Sequence, residues 1–261
     1  MTTAMTWRVA GVSSQGTSHL KTGDPCQDVH DFRVLPGGTL IAAVADGAGT
    51  ARLAEVGATL AVKTALETVA EGLAGAEPGG WSDEAWRTLL AEAITAALRA
   101  TETAAAAREA PLRDFACTLA VAVARPGELL AAVQIGDGAV VAQEEHGAAF
   151  AVTRPAVSEY LNETTFLISP GAIAGASFAV WRGGLARLGL LTDGLQMLAL
   201  RMPGGDPHPG FFEPMFRFVA ATGEADAAVA SLRSFLDSPR VRERADDDLT
   251  LFLSACVPEP T

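Results

Sequence analysis

"LIAAVADGAGTA", residues 40–51, runs six apolar residues into a carboxylate, Asp46, and then into Gly47-Ala48-Gly49. An apolar run of this length bounded by glycines reads as a buried β-strand. A strand that ends on an acid, followed by residues almost without side chains, puts that acid at a sheet edge where a substrate can approach the backbone closely. The same design returns along the chain. "VQIGDGA" (133–139) presents Asp137 and "LGLLTDGL" (188–195) presents Asp193. "RADDDLTLFL" (244–253) places Asp246, Asp247 and Asp248 just before an apolar strand, and "PCQDVHDF" (25–32) places Asp28 just before another.

The segments around these edges give the fold class. "TWRVAGVSS" (6–14) reads as a first strand and "GTSHLKTGDPCQD" (16–28) as a polar loop. "VHDFRVL" and "TLIAAVAD" are two strands joined by "PGG". Leu53, Val56, Leu60, Leu66, Val69 and Leu73 then fall at helical spacing. After "GAEPGG", Ser82 is an N-cap with Asp83 and Glu84 in the first turn, predicting a helix to about Arg108 that buries Trp86, Leu89, Leu90, Ala93 and Ala97. "FACTLAVAVAR", "ELLAAVQIGDG" and "AVVAQEEHGAAFAVT" are consecutive strands, followed by "TFLIS", "SFAVWR" and "ARLGLLTDG". "RMPGGDPHPGFFEP" (201–214) reads as an irregular loop, Glu224 to Leu236 as a helix, and "DLTLFLSAC" as the closing strand. Two blocks of strands, a helix pair between them and one late helix predict an α+β fold: two stacked antiparallel sheets flanked by helices, a four-layer αββα sandwich. Neither a repeat nor a linker divides the chain, so one domain over 1–261 is expected, with its core at about 9–255.

Composition narrows the function. A net charge of −12 opposes nucleic acid or an anionic membrane surface as partner. Cys26, Cys117 and Cys256 are scattered and form neither a disulfide framework nor a CxxC site, which suits a reducing compartment. With no signal-peptide pattern at the N-terminus and no apolar run of ~18 residues, a cytoplasmic location is expected. A single Asp-Gly is a common turn signal. Several acids at strand edges converge on one rim if the sheets stack. Carboxylates so gathered repel one another unless a hard cation such as Mg²⁺ or Mn²⁺ neutralises them.

In order, "CQDVHDF", "VADGAGTA", "CTLAVAVA", "IGDGAVV", "LLTDGL" and "DDLTLFLS" resemble the metal-dependent serine/threonine protein phosphatases of type 2C, the PPM family, and the stretch at 16–28 looks like a bacterial subgroup of it. The likeness runs from about Val9 to Ala255. It implies hydrolysis of phosphoserine or phosphothreonine in a protein substrate by water held between two metals, Mn²⁺ or Mg²⁺, without a covalent intermediate. It also implies a cognate serine/threonine kinase or its targets as partners. By this resemblance Asp46 bridges the two metals, Gly47 offers its carbonyl to one, Asp193 and Asp247 hold the other, and Asp28 binds metal-held water. Thr250 sets the frame that selects Asp247, with Asp246 the neighbouring choice. Asp137 matches an acid that helps bind a third metal.

Three positions depart from the family pattern. Ala48 stands where some members carry a histidine proposed as general acid. Met197 stands where an acid often completes the third-metal site, which leaves a third metal weakly held or absent. The family often places an arginine shortly before this acid to bind the substrate phosphate; here the nearest candidates before Asp28 are His19 and Lys21. "SEYLNETTF" (158–166) is a substrate-facing flap or an ordinary loop. The alternatives to an active enzyme are an inactive phosphatase-like module that binds a phosphoprotein or kinase, and a domain whose Asp-Gly pairs are only turns.

Overall fold

The computed structural model of the chain describes residues 5–76, 80–155 and 164–259. Strand β3 (Leu40–Ala45) is buried along its whole length because it faces two cores at once. Ile41, Ala43 and Ala45 point to one, Leu40, Ala42 and Val44 to the other, as the two-residue period of a strand requires. β3 lies in a sheet ordered β2 (Val29–Val34), β3, β4 (Leu119–Arg125), β5 (Leu129–Ile135), β8 (Ser177–Arg182). The second sheet is ordered β1 (Met5–Ser14), β12 (Leu249–Pro258), β9 (Leu185–Leu191), β6 (Ala139–Glu144), β7 (Phe150–Ala151). Every pairing is antiparallel.

Helices cover the outer faces. α2 (Ala54–Leu73) and α3 (Asp83–Ala107) pack on the first sheet through Leu66, Val69, Trp86, Leu90 and Ile94. The Ser82 hydroxyl accepts from the Ala85 amide at 3.2 Å, so the predicted cap starts α3. α5 (Pro209–Ala221) and α6 (Ala225–Leu236) cover the second sheet through Phe212, Phe216 and Leu232. Leu130, Leu188, Leu190 and Phe252 fill the seam between sheets. The four layers are those the sequence predicts.

Three predicted segments differ. Within 16–28 the chain forms α1 (Thr17–Thr22), ended by Gly23 at φ 81°. Six residues carry no readable apolar period; α1 is held from outside, the Ser18 amide donating to the Asp246 carbonyl at 2.9 Å. "TFLIS" makes turns rather than a strand, with Leu167 buried and its amide on the Cys117 carbonyl at 2.8 Å. The 201–214 stretch contains a hairpin, β10 (Leu200–Arg201) with β11 (Asp206–Pro207), and the start of α5. Pro209 suits a first helical turn, where no amide is needed, and Phe211 and Phe212 are buried below it. Two four-residue helices, α4 (Gln196–Ala199) and α7 (Pro239–Arg242), complete the order. Most of the suspected flap, 156–163, lies outside the described residues. Among the described residues no helix is long and apolar enough to cross a membrane.

Candidate active site

Antiparallel register decides where the acids go. Ala45 pairs with Val29, Ile135 with Leu119, and Leu191 with both Ala139 and Leu251. The exits of β3, β5 and β9 and the entries of β2 and β12 therefore share one rim, which gathers Asp46, Asp137, Asp193, Asp28 and the 246–248 triplet. Carboxylate oxygens of Asp46, Asp137 and Asp193 lie within 4.8 Å of one another.

Backbone hydrogen bonds lock Asp46 in place. Its amide donates to Thr118 Oγ1 at 2.9 Å, and the Thr118 amide donates back to the Asp46 carbonyl at 2.8 Å. A Cβ on Gly47 would stand 2.8 Å from the Gln27 carbonyl oxygen and 2.9 Å from Ala54 Cβ. The bare face of Gly47 thus admits the first turn of α2; it is not an opening for substrate, as the sequence suggested. Asp28 is 4 % exposed; its Oδ2 accepts from Thr192 Oγ1 at 2.6 Å, and its Oδ1 is buried without a hydrogen-bond partner. Asp137 is similar: Thr164 Oγ1 donates to Oδ2 at 2.8 Å, and Oδ1 is a buried orphan.

The acid triplet divides its labour. β12 begins only at Leu249, so residues 246–248 form a bend and their side chains do not alternate as on a strand. Asp246 is exposed, its carbonyl tied to α1. Asp247 is exposed at the rim, within reach of Asp46 and Asp193 electrostatically. Asp248 is 2 % exposed and accepts from the Gly16 amide at 2.5 Å and the Gln27 amide at 2.6 Å. Asp248 stays close to Asp247: oxygens of both lie within 4.8 Å of each other and of a His19 ring nitrogen. Two glycines make room for the bend. A Cβ on Gly16 would meet the Asp247 carbonyl carbon at 2.3 Å, and one on Gly194 the Asp248 carbonyl oxygen at 2.1 Å.

Among the described residues, no salt bridge to Lys or Arg reaches Asp28, Asp46, Asp137, Asp193 or Asp247. Burial, then repulsion from Asp28, Asp193, Asp247 and Asp137, holds the Asp46 carboxyl well above its usual range. Burial also pushes Asp28 and Asp193 up to about 7; Asp248 and Asp193 charges add to it at Asp28, and Asp137 and Asp247 at Asp193. An all-oxygen cluster with two orphaned buried oxygens and no counter-ion fits a hard divalent cation.

The protein phosphatase 2C family model matches residues 15–237. The chain belongs to the protein phosphatase 2C family. It is a serine/threonine protein phosphatase, and metal dependence comes with the family. Serine/threonine-protein phosphatase 3 of Escherichia coli (strain K12) is 36 % identical over 257 residues, 96 % of this chain and 98 % of that one. Solved structures share the fold at low identity. A bacterial serine phosphatase superposes with a TM-score of 0.67 at 12 % identity over 97 % of this chain and 99 % of that one. Serine/threonine phosphatase Stp1 from Staphylococcus aureus does so with 0.63 at 12 % over 98 % and 97 %.

Of the two basic candidates in the phosphatase, the fold brings only His19 to the acids. His19 is buried, with Nδ1 2.9 Å from Asp248 Oδ1 in an off-axis electrostatic contact rather than a hydrogen bond. A Cβ on Gly49 would lie 4.0 Å from His19 Nε2, so the other side of the ring borders the loop after Asp46. Lys21 is exposed and makes no salt bridge among the described residues. Thr118, Thr164 and Thr192, which hold the acids, escaped the sequence reading. Thr192 lies 164 positions from the carboxylate it holds, and only its place directly before Asp193-Gly194 hinted at a role.

Proposed function

We propose that the phosphatase hydrolyses phosphoserine and phosphothreonine in proteins at this rim, with two divalent cations, Mn²⁺ or Mg²⁺, held by Asp46, the Gly47 carbonyl, Asp193 and Asp247. Asp137 is the acid available to a third, more weakly held ion. The observation that carries the reading is the cluster of Asp46, Asp137 and Asp193 within 4.8 Å, with no salt bridge to Lys or Arg among the described residues. When bound, such cations lower the pKa of water and neutralise phosphoryl oxygens.

The chain's own residues supply the rest. Asp46 is central because the charges of Asp28, Asp193, Asp247 and Asp137 all reach it. Asp28 keeps one oxygen, Oδ1, free to accept a hydrogen bond from the attacking water. His19 takes the phosphate at the lip of the 47–49 loop, and Lys21 is left out of the site. Burial, with the nearby Asp248, Asp28 and Asp46 charges, pushes the Cys26 and Cys117 thiols up to about 12; they stay protonated at neutral pH and provide no nucleophile for a covalent route. Ala48 is packed against Ala51, Ala54 and Ala116 and carries no proton, so the leaving group takes its proton from solvent. We place this activity in one domain over about 9–255, in the cytoplasm, with a phosphorylated protein and its serine/threonine kinase as partners. A phosphopeptide assay tests it: turnover with Mn²⁺ and none in excess EDTA is expected. Undiminished hydrolysis in EDTA would refute the metal-dependent reading.

A further inference from the structure

Behind Asp28, a ring of hydroxyls, two buried on Thr192 and Thr250 and one half-buried on Ser13, ties the two sheets together. Thr192 Oγ1 donates to Asp28 Oδ2 at 2.6 Å and accepts from the Thr250 amide at 3.1 Å. Thr250 Oγ1 lies 2.7 Å from Ser13 Oγ, and Ser13 Oγ lies 2.8 Å from His30 Nδ1. The circuit leaves the residue before β2, crosses β9, β12 and β1, and returns to β2 at His30. His30 is wedged against Gly11, where a Cβ would come within 2.5 Å of the ring. Thr192 is 2 % exposed and Thr250 0 %, so water does not compete for these groups.

Proton counting gives the ring a direction. A threonine hydroxyl has one proton. The Thr250 amide can only donate, so it uses the acceptor side of the Thr192 oxygen. The single Thr192 proton is then committed to Asp28 Oδ2. Oδ2 is occupied, and the unpartnered Oδ1 is the oxygen left for the reaction. A carboxylate able to rotate would offer either oxygen and lose alignment.

We propose that Thr192 is a positioning residue of the phosphatase reaction: it fixes the Asp28 carboxylate so that Oδ1 alone serves the attacking water, with Thr250, Ser13 and His30 bracing it from the seam. The inference rests on the assignment of Asp28 above. Sequence gives Thr192 no such role, because it sits beside Asp193 and acts on an acid from another sheet.

The test compares Thr192→Val, which keeps the shape and deletes the hydroxyl, with Thr192→Ser, which restores it, alone and in an Asp28→Ala background. kcat and KM are measured on a phosphopeptide at saturating Mn²⁺, Mn²⁺ affinity by calorimetry, and Tm as a check on folding. Thr192→Val is expected to lower kcat about tenfold with KM within about twofold, as for a lost hydrogen bond to a charged group. Thr192→Ser should recover to within about threefold, and in Asp28→Ala the valine should cost less than about twofold more, because the two act as one unit. Mn²⁺ affinity should stay within about twofold, since Asp193 is untouched. An unchanged kcat in Thr192→Val, an undiminished loss in the Asp28→Ala background, or a tenfold fall in Mn²⁺ affinity overturns the inference. A wild-type rate in Asp28→Ala instead overturns the assignment of Asp28. If the valine variant does not fold, Thr192→Ala replaces it with the same expectations.

Discussion

The sandwich has two ends built from similar residues, and among the described residues one of them gathers its acids while the other does not. At the far end the strands turn through 35–39, 126–128, 145–149 and 183–184, which are rich in glycine and carry Glu128 and Glu145, with Glu144 at the end of β6. There the acids are exposed, and Glu128 pairs with Arg125 Nε at 2.8 Å. At the near end the acids are shorter, Asp28, Asp46, Asp137, Asp193 and Asp248 are half-buried or buried, and among the described residues no Lys or Arg forms a salt bridge with Asp28, Asp46, Asp137, Asp193 or Asp247. Gly beside an acid is turn chemistry at both ends. Desolvation and convergence make the difference: water screens the far acids, while the near ones repel one another through a poorly screening interior.

Asp46 is where the comparison breaks hardest. Asp46→Asn should cost at least ~100-fold in turnover while the fold survives, because it removes the charge at the centre of the cluster. A folded Asp46→Asn enzyme with the wild-type rate would make the near end no different from the far one. Asp247→Ala should cut turnover and weaken Mn²⁺ binding by about tenfold or more, as loss of a direct ligand does, and Asp246→Ala should leave both within about twofold. The reverse pattern in calorimetry would shift the ligand by one residue.

Asp248 sharpens the contrast differently, since it is a near-end acid that is fully satisfied. Asp248→Ala leaves the Gly16 and Gln27 amides without their acceptor, so a stability loss of about 2–4 kcal/mol in urea titration is expected. An Asp248→Ala protein as stable as wild type would remove it as the anchor of α1.

Acidity gives a smaller effect with a definite sign. Asp28 and Asp193 sit at about 7 in the folded chain against 3.8 unfolded. Between those values the folded state holds more protons, so the metal-free protein should lose stability as pH rises from about 4 through about 7. Mn²⁺ should reverse the trend, because it binds the ionised carboxylates. A Tm in EDTA that climbs steadily from pH 5 to 7.5 would contradict the burial of these acids. The far end supplies the smallest effect: Glu128→Gln should change stability by less than about 0.5 kcal/mol and leave turnover alone, as exposed pairs do.

Much of this was legible in the chain. β3 could be read from 40–45 and α3 from Ser82 onward, because a strand buried on both faces and a capped amphipathic helix leave local patterns. Asp46, Asp137, Asp193 and Asp247 could be marked as edge acids for the same reason, each having its own Gly or its own strand beside it. α1 and α5 could not: one is too short for a period, and the other hides behind prolines and is held by its phenylalanines packing on the second sheet. The layer order and the acids at strand ends follow from patterns a few residues long, so the chain carries them locally. Tertiary structure alone decided that His19 and not Lys21 meets those acids, that Asp248 binds amides while its neighbour Asp247 stays at the rim, and that Thr192 holds Asp28. Each of these is set by groups up to 232 positions apart, and a hydrogen bond depends on distance in space, which only the packing of the two sheets supplies.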